Sequence, residues 1–147
     1  MTTASQSWTE EMLEVAGSQL QVFKGGSGDP LLIIHDEMGH PGWLRYHEEL
    51  SKEHTLVMPC LPGFGESAEL DWVMSMHDLA TWFLQALDDL NLENVNVIGF
   101  SLGGWLAAEM AVRCPQQFKK LILVGAAGVR PPEGEIYDIF QVVAKAY

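Results

Sequence analysis

From Met12 to Phe23 apolar and polar residues roughly alternate around Gly17-Ser18, with Leu13, Val15, Leu20 and Val22 on the apolar positions. This pattern predicts two short strands joined by a tight turn. After the breaker run Gly25-Gly26-Ser27-Gly28-Asp29-Pro30, the four residues Leu31 to Ile34 are continuously apolar, as expected of a strand covered on both faces, and the run ends at His35. Trp43, Leu44, Tyr46, His47 and Leu50 then recur at helical spacing, and Thr55 to Met58 reads as a strand stopped by Pro59. The clearest helix is Ser75 to Leu90. Met76, Leu79, Ala80, Phe83, Leu84, Leu87 and Leu90 form one stripe, and Ser75 with Asp78 resembles a capping box. A strand at Val95 to Gly99, a helix from Gly103 to Arg113 halted before Pro115, and a strand at Leu121 to Val124 follow. An amphipathic stretch from Ile136 to Tyr147 comes after Pro131-Pro132. Alternation of strand and helix predicts an α/β protein, an open and mostly parallel sheet with helices on both faces and an N-terminal β-hairpin.

Length and composition narrow the function classes. The 147 residues, 48% of them apolar, suffice for one domain with a real core. Eight Lys and Arg stand against 20 Asp and Glu, and a net charge of −12 repels phosphate backbones and anionic lipid. Nucleic acid is therefore not an expected partner. Cys60 and Cys114 have the spacing of neither a redox pair nor a zinc site. Two ordinary thiols, an N-terminus with Glu10, Glu11 and Glu14 in place of a basic and apolar leader, and apolar runs too interrupted to span a bilayer suggest a cytoplasmic protein. No metal ligand set or cofactor-binding motif is visible.

The chemistry concentrates at Gly99-Phe100-Ser101-Leu102-Gly103, which matches G-x-S-x-G and lies between an expected strand and an expected helix, the context this motif requires. A sharp strand-to-helix turn strains the serine backbone, and Gly99, Gly103 and Gly104 give the room that side chains would fill. The hydroxyl then stands at a helix N-terminus, where free N–H groups and the helix dipole favour a developing anion. The Leu102 N–H is the first candidate oxyanion donor. Glycine-rich turns of nucleotide-binding folds are the competing reading, but the Lys-Ser/Thr of a phosphate loop is missing and no G-x-G-x-x-G follows a strand.

Over nearly its whole length the chain resembles the α/β-hydrolase family. Besides the serine turn, His35-Asp36-Glu37-Met38-Gly39 is similar to the family's H-G-x-x-G oxyanion loop, and Cys60-Leu61-Pro62-Gly63-Phe64-Gly65-Glu66-Ser67 to its D-x-P-G-x-G-x-S turn. The resemblance implies that Ser101 attacks an acyl carbon and that the Glu37 N–H joins that of Leu102 in holding the oxyanion. Esters, thioesters, lactones and similar small acyl compounds would be the substrates. Carbon–carbon bond hydrolysis and peracid formation use the same turn, whereas dehalogenases and epoxide hydrolases need a carboxylate where Ser101 stands. His35, Asp36, Phe100 and Trp105 are candidate substrate-contacting residues, and Phe64 a further candidate, although aromatic residues at such spacings more often belong to the core. Asp36 replaces the family's usual glycine and Cys60 its usual aspartate. The Asp36 and Glu37 side chains would oppose an oxyanion if they faced it, and loop side chains ordinarily point to solvent.

The family order is nucleophile, then acid, then histidine. His35, His40, His47, His54 and His77 all precede Ser101, and none follows it. Residues 1–130 therefore read as the N-terminal part of a hydrolase core and residues 131–147 as the start of a cap helix, with acid and histidine on later strands outside the sequence. His35 or His40 as a base is the lesser alternative, because the family's equivalent of His35 holds the oxyanion loop. Leu121 to Val124 would become an apolar edge open to a second copy or a complementing chain. A truncated or split serine hydrolase and a non-catalytic binding module of the same fold both remain open at this point.

Overall fold

The computed structural model describes residues 7–134. The segment expected to begin a cap, Ile136 to Tyr147, lies outside the described residues.

Six strands form one sheet. In chain order they are β1 (Trp8–Val15), β2 (Ser18–Gly26), β3 (Asp29–Ile34), β4 (His54–Pro59), β5 (Val95–Phe100) and β6 (Phe118–Val124), and in space they run β1-β2-β4-β3-β5-β6. β1 and β2 pair antiparallel, as do β2 and β4, whereas the β4–β3, β3–β5 and β5–β6 pairs are parallel. The helices are α1 (Arg45–Leu50), α2 (Met76–Asp89) and α3 (Leu102–Arg113). This is the open, mostly parallel α/β architecture that the alternating pattern predicts.

Each sheet face has its own core. On one side α2 and α3 bury Phe83, Leu87, Leu106 and Met110 against Leu20, Val22, Leu32, Ile34 and Val97. On the other, Phe23, Leu31, Ile33, Leu56 and Met58 pack under Trp8, Trp43 and Leu50 around the single-turn-and-a-half helix α1. β3 contributes to both, which explains why its sequence is continuously apolar rather than alternating. The α2 cap follows the pattern closely: Ser75 Oγ accepts from the Asp78 N–H at 3.2 Å, while Asp78 reaches back to the Met74 N–H at 3.1 Å.

β1, β3 and β6 begin earlier than expected, at Trp8, Asp29 and Phe118, and two further boundaries differ for a visible reason. The hairpin turns at Ala16-Gly17 rather than Gly17-Ser18, with φ of 46° and 73°. Alanine rarely takes a positive φ, and here α2 holds it there: the Ala16 N–H donates to Asp89 Oδ2 at 2.6 Å and Trp82 Nε1 donates to the Ala16 carbonyl at 3.2 Å. The glycine run also does not break the sheet at Gly25. β2 continues to Gly26 because a Cβ on Gly25 would stand 2.6 Å from the Trp43 ring, so glycine marks a close approach and not a loop.

β6 is an edge. Leu121, Ile122, Leu123 and Val124 are 36%, 52%, 41% and 43% exposed, so apolar side chains on both of its faces meet solvent. Among the described residues no helix is long and apolar enough to cross a membrane.

Candidate active site

Ile34 lies opposite Gly99, so the loops leaving β3 and β5 emerge side by side at the same end of the sheet. Ser101 sits in the second of them at φ 44°, ψ −107°, immediately before α3. A residue with a Cβ is held in this conformation at a cost of about 1–3 kcal/mol. The surrounding backbone fixes it: the Ser101 N–H donates to the Val124 carbonyl at 2.9 Å, and its own carbonyl accepts from Trp105 at 3.0 Å and Ala127 at 3.1 Å. The three glycines have distinct neighbours. A Cβ on Gly99 would lie 2.6 Å from the Gly103 carbonyl, one on Gly104 would lie 2.8 Å from the Ala126 Cβ, and one on Gly103 would collide with the His35 and Ile34 carbonyls. Helix α3 thus starts directly against the end of β3, bringing the two loops into contact.

The loop after β3 is held differently. His35 is buried at 4% exposure, its Nδ1 donating to the Asp36 carbonyl at 2.6 Å and its Nε2 accepting from the Leu61 N–H at 2.9 Å. Burial lowers its pKa against the opposing pull of the Asp36 carbonyl and charge, so the ring is neutral. With both nitrogens occupied by backbone, His35 positions the loop and has no lone pair left for Ser101. Asp36 turns its carboxylate back onto the Met38 N–H at 2.9 Å. Its φ is not positive, so the glycine usual at that position is not required here, and the left-handed residue of the loop is Gly39 at φ 91°.

Glu37 is exposed, as expected of a loop carboxylate. Its carboxyl is held below the usual carboxylate pKa, first by the nearby Ser101 hydroxyl and then by the neighbouring N–H groups of Glu37 and Leu102.

The turn carrying Cys60 and Ser67 braces the opposite side of His35. Ser67 Oγ donates to the Cys60 carbonyl at 2.7 Å and accepts from the Gln21 N–H at 3.0 Å, and Gln21 Oε1 accepts from the Glu66 N–H at 2.9 Å. Burial, aided by Glu10, pushes the Cys60 thiol up to about 11, so it is no thiolate at neutral pH. Phe64 meets the His35 ring edge-on at 4.9 Å.

A cleft of about 210 Å³ opens beside the β3 loop, with Asp36, His40, Tyr46, His47, Met58 and Phe100 among its walls. Phe100 is the neighbour of Ser101 and faces this cleft, whereas Trp105 lies against Gly128 in the segment after β6, where a Cβ would stand 2.6 Å from its ring. His40 stacks on Phe23 at 4.0 Å, and burial together with His47 and His35 lowers its pKa to about 4. Its Nδ1 accepts from the Gly42 N–H at 3.1 Å, and its Nε2 is buried without a protein partner. His47 accepts from the Leu44 N–H at 2.9 Å, and burial lowers its pKa too. His47 and Tyr46 were legible in the sequence only as a helix stripe. Their role as a cleft wall had one faint signal, the spacing of His35, His40 and His47 through a single loop-and-helix segment. Among the described residues no group of three or more His, Cys, Asp or Glu could hold a metal ion.

Comparison with known proteins agrees with this geometry. Residues 25–145 match the α/β-hydrolase fold family, and the chain belongs to it. It is 32% identical over 130 residues to 2-hydroxymuconate semialdehyde hydrolase of Pseudomonas sp. (strain CF600), covering 84% of this chain and 45% of that protein. A second relative, the (E)-2-((N-methylformamido)methylene)succinate hydrolase of Acinetobacter baylyi (strain ATCC 33305 / BD413 / ADP1), is 29% identical, with 69% of this chain and 39% of that protein covered. Among solved structures, a bacterial membrane phospholipase A superposes with a TM-score of 0.82 at 26% identity, covering 96% of this chain and 46% of its own. The naproxen esterase of Bacillus subtilis shares the fold with a TM-score of 0.71 at 22% identity, over 78% of this chain and 41% of its own. The chain thus spans less than half the length of these relatives.

Proposed function

We propose that this chain is the nucleophile-bearing portion of a serine hydrolase that cleaves an ester, thioester, lactone or related acyl bond of a small molecule. Ser101 is the nucleophile and the N–H groups of Leu102 and Glu37 form the oxyanion hole. Support comes above all from one observation: Ser101 stands in the strained backbone that a nucleophile turn requires, at the start of α3 and beside the loop that carries Glu37.

In the reaction, Ser101 Oγ attacks the acyl carbon, its proton passes to a base, and the carbonyl oxygen takes up negative charge facing the two amides. Collapse of that intermediate expels the leaving group, which takes the proton, and water then releases the acyl group from Ser101. His35 is no base in this scheme, since its nitrogens are committed to Asp36 and Leu61. The histidine and its acid belong to sequence beyond this chain. Phe100 lines the acyl cleft from beneath, Asp36 stands at its wall, and Trp105 contacts the substrate only if the segment after β6 rearranges. The exposed face of Leu121 to Val124 is the surface onto which the remainder of the fold, or a second chain, packs.

A fluorophosphonate probe tests the assignment. In the full-length protein Ser101 should become phosphonylated and Ser101→Ala should remain unlabelled; a labelled protein whose adduct maps elsewhere would sink it. A second reading is a binding module of the same fold that keeps the cleft without the chemistry. It predicts equal ester turnover by wild type and Ser101→Ala.

A further inference from the structure

The segment from His35 to His47 carries the loop after β3, much of the cleft wall and the start of α1, and three histidines hold it in the same manner. Each offers a bare ring nitrogen to a backbone N–H: His35 Nε2 accepts from Leu61 at 2.9 Å, His40 Nδ1 from Gly42 at 3.1 Å and His47 Nδ1 from Leu44 at 2.9 Å. The three bonds fall at the start, the middle and the end of the segment. A nitrogen that accepts from an N–H must be unprotonated, so each bond exists only while its ring is neutral. A proton on any of these nitrogens would set N–H against N–H.

The surroundings give a charged ring little in exchange. His40 stacks on Phe23 at 4.0 Å and lies nearly parallel to His47 at 6.2 Å, so a charge on either ring opposes one on the other. On the segment itself Asp36 lines the cleft with its carboxylate turned to the Met38 N–H, and Glu37 is exposed. On β1 and β2, Glu11 pairs with Lys24 and Glu10 accepts from Gln21 Nε2. In the turn after β4, Cys60 is a neutral thiol and Glu66 is exposed. On α1, Arg45 and Glu48 are exposed, and burial together with Asp36 keeps the Tyr46 phenol neutral. Among these groups Asp36 is a single cleft-lining anion against three rings. Burial already holds all three rings below their ordinary pKa.

We infer that His35, His40 and His47 form an acid-released clasp: ring protonation frees the segment from the N–H groups of Leu61, Gly42 and Leu44, opening the loop after β3 and dismantling the cleft. Return to neutral pH closes it again. Resting on the hydrolase reading above, this loop supplies the Glu37 N–H to the oxyanion hole, so the clasp keeps the site assembled near neutrality and disarms it in acid. The sign follows from the protons bound: the closed rings take them up less readily than the released ones. Closure is therefore complete above the ordinary 6.5 and is lost as pH falls toward about 4, the value for His40.

Asparagine places its Oδ1 where imidazole has Nδ1 and binds no proton, so combining His40→Asn with His47→Asn keeps both acceptors and removes their titration. The test compares this double variant with wild type in the full-length protein. Relative to the amides of α2, exchange protection at Gly42 and Leu44 should fall about tenfold or more in wild type between about pH 7 and about pH 4.5, and about threefold or less in the double variant. Ring nitrogen shifts of wild type read the same event without a substitution. At neutral pH His35 should carry its proton on Nδ1 and the other two rings on Nε2, and the rings should titrate over the range in which protection is lost. With each protein scaled to its own rate at about pH 7.5, phosphonylation of Ser101 at about pH 5 should be about threefold or more faster in the double variant. A triad histidine common to both proteins cannot produce that difference. If the double variant loses protection as wild type does, or the wild-type rings titrate while the amides stay protected, the clasp is overturned, and labelling at Ser101 leaves the hydrolase reading intact. A Ser101 that labels at no pH overturns the hydrolase reading, while the exchange data still decide the clasp.

Discussion

The two loops that make the site leave neighbouring strands side by side, yet they are held by opposite means. The turn after β5 is shaped by local sterics, with three glycines removing Cβ atoms from a crowded bend and Ser101 at φ 44° held by main-chain hydrogen bonds close in sequence or just across β6. The loop after β3 is shaped from a distance. His35 reaches Leu61, and Leu61 belongs to a turn that Ser67 and Gln21 tie to β2. A bend determined by its own residues can be recognised in a string of letters, and a loop hung on remote partners cannot.

The strongest test of this contrast is Gly103→Val, which places carbon against the carbonyls of both Ile34 and His35 and so strikes the two loops together. We expect a loss of about 3 kcal/mol in urea unfolding, or no folded state at all. His35→Ala addresses the remote support alone. It leaves the buried Leu61 N–H without an acceptor, at a cost of about 2 kcal/mol. The nucleophile bend should survive, seen as unchanged amide resonances for Leu102 to Leu106. If those resonances move as far as the ones around Leu61, the two loops are one unit and the contrast is wrong.

Protonation offers a milder route to the same loop. His40 falls from the ordinary 6.5 to about 4 on folding, and His35 and His47 are lowered as well. Between those values the unfolded chain binds protons that the folded chain refuses, so stability declines as pH falls from about 6.5 toward 4 and levels off below. For the partly exposed His40 ring the contribution is on the order of 1 kcal/mol after allowing for solvent screening. Thermal melts across that range should show a smaller decline for His40→Phe, which keeps the stacking on Phe23.

Ser101→Gly isolates the local strain. It should raise stability by about 1 kcal/mol because glycine takes a positive φ freely, whereas Ser101→Ala should bring no such gain. Equal effects of the two would mean that the bend is not strained.

Much of the fold was legible because hydrophobic periodicity follows secondary structure directly. The stripe of α2 with its Ser75 cap, the unbroken apolar run of β3, and the serine turn between β5 and α3 all lie where the residues predict. The misplaced boundaries are instructive: Ala16 is bent by Asp89 and Trp82, and Gly25 stays in β2 because Trp43 covers it. Neither cause is near in sequence.

The amino-acid order alone determined the class of fold, the nucleophile candidate and the need for glycine on either side of it, since these depend on short-range sterics and on which face of a helix or strand is apolar. Only the folded chain decided that His35 spends both nitrogens on backbone and that His40, Tyr46 and His47 wall a cleft. The reason is that a loop side chain has no periodicity to constrain it; its direction follows from the hydrogen-bond donors that distant segments bring within reach.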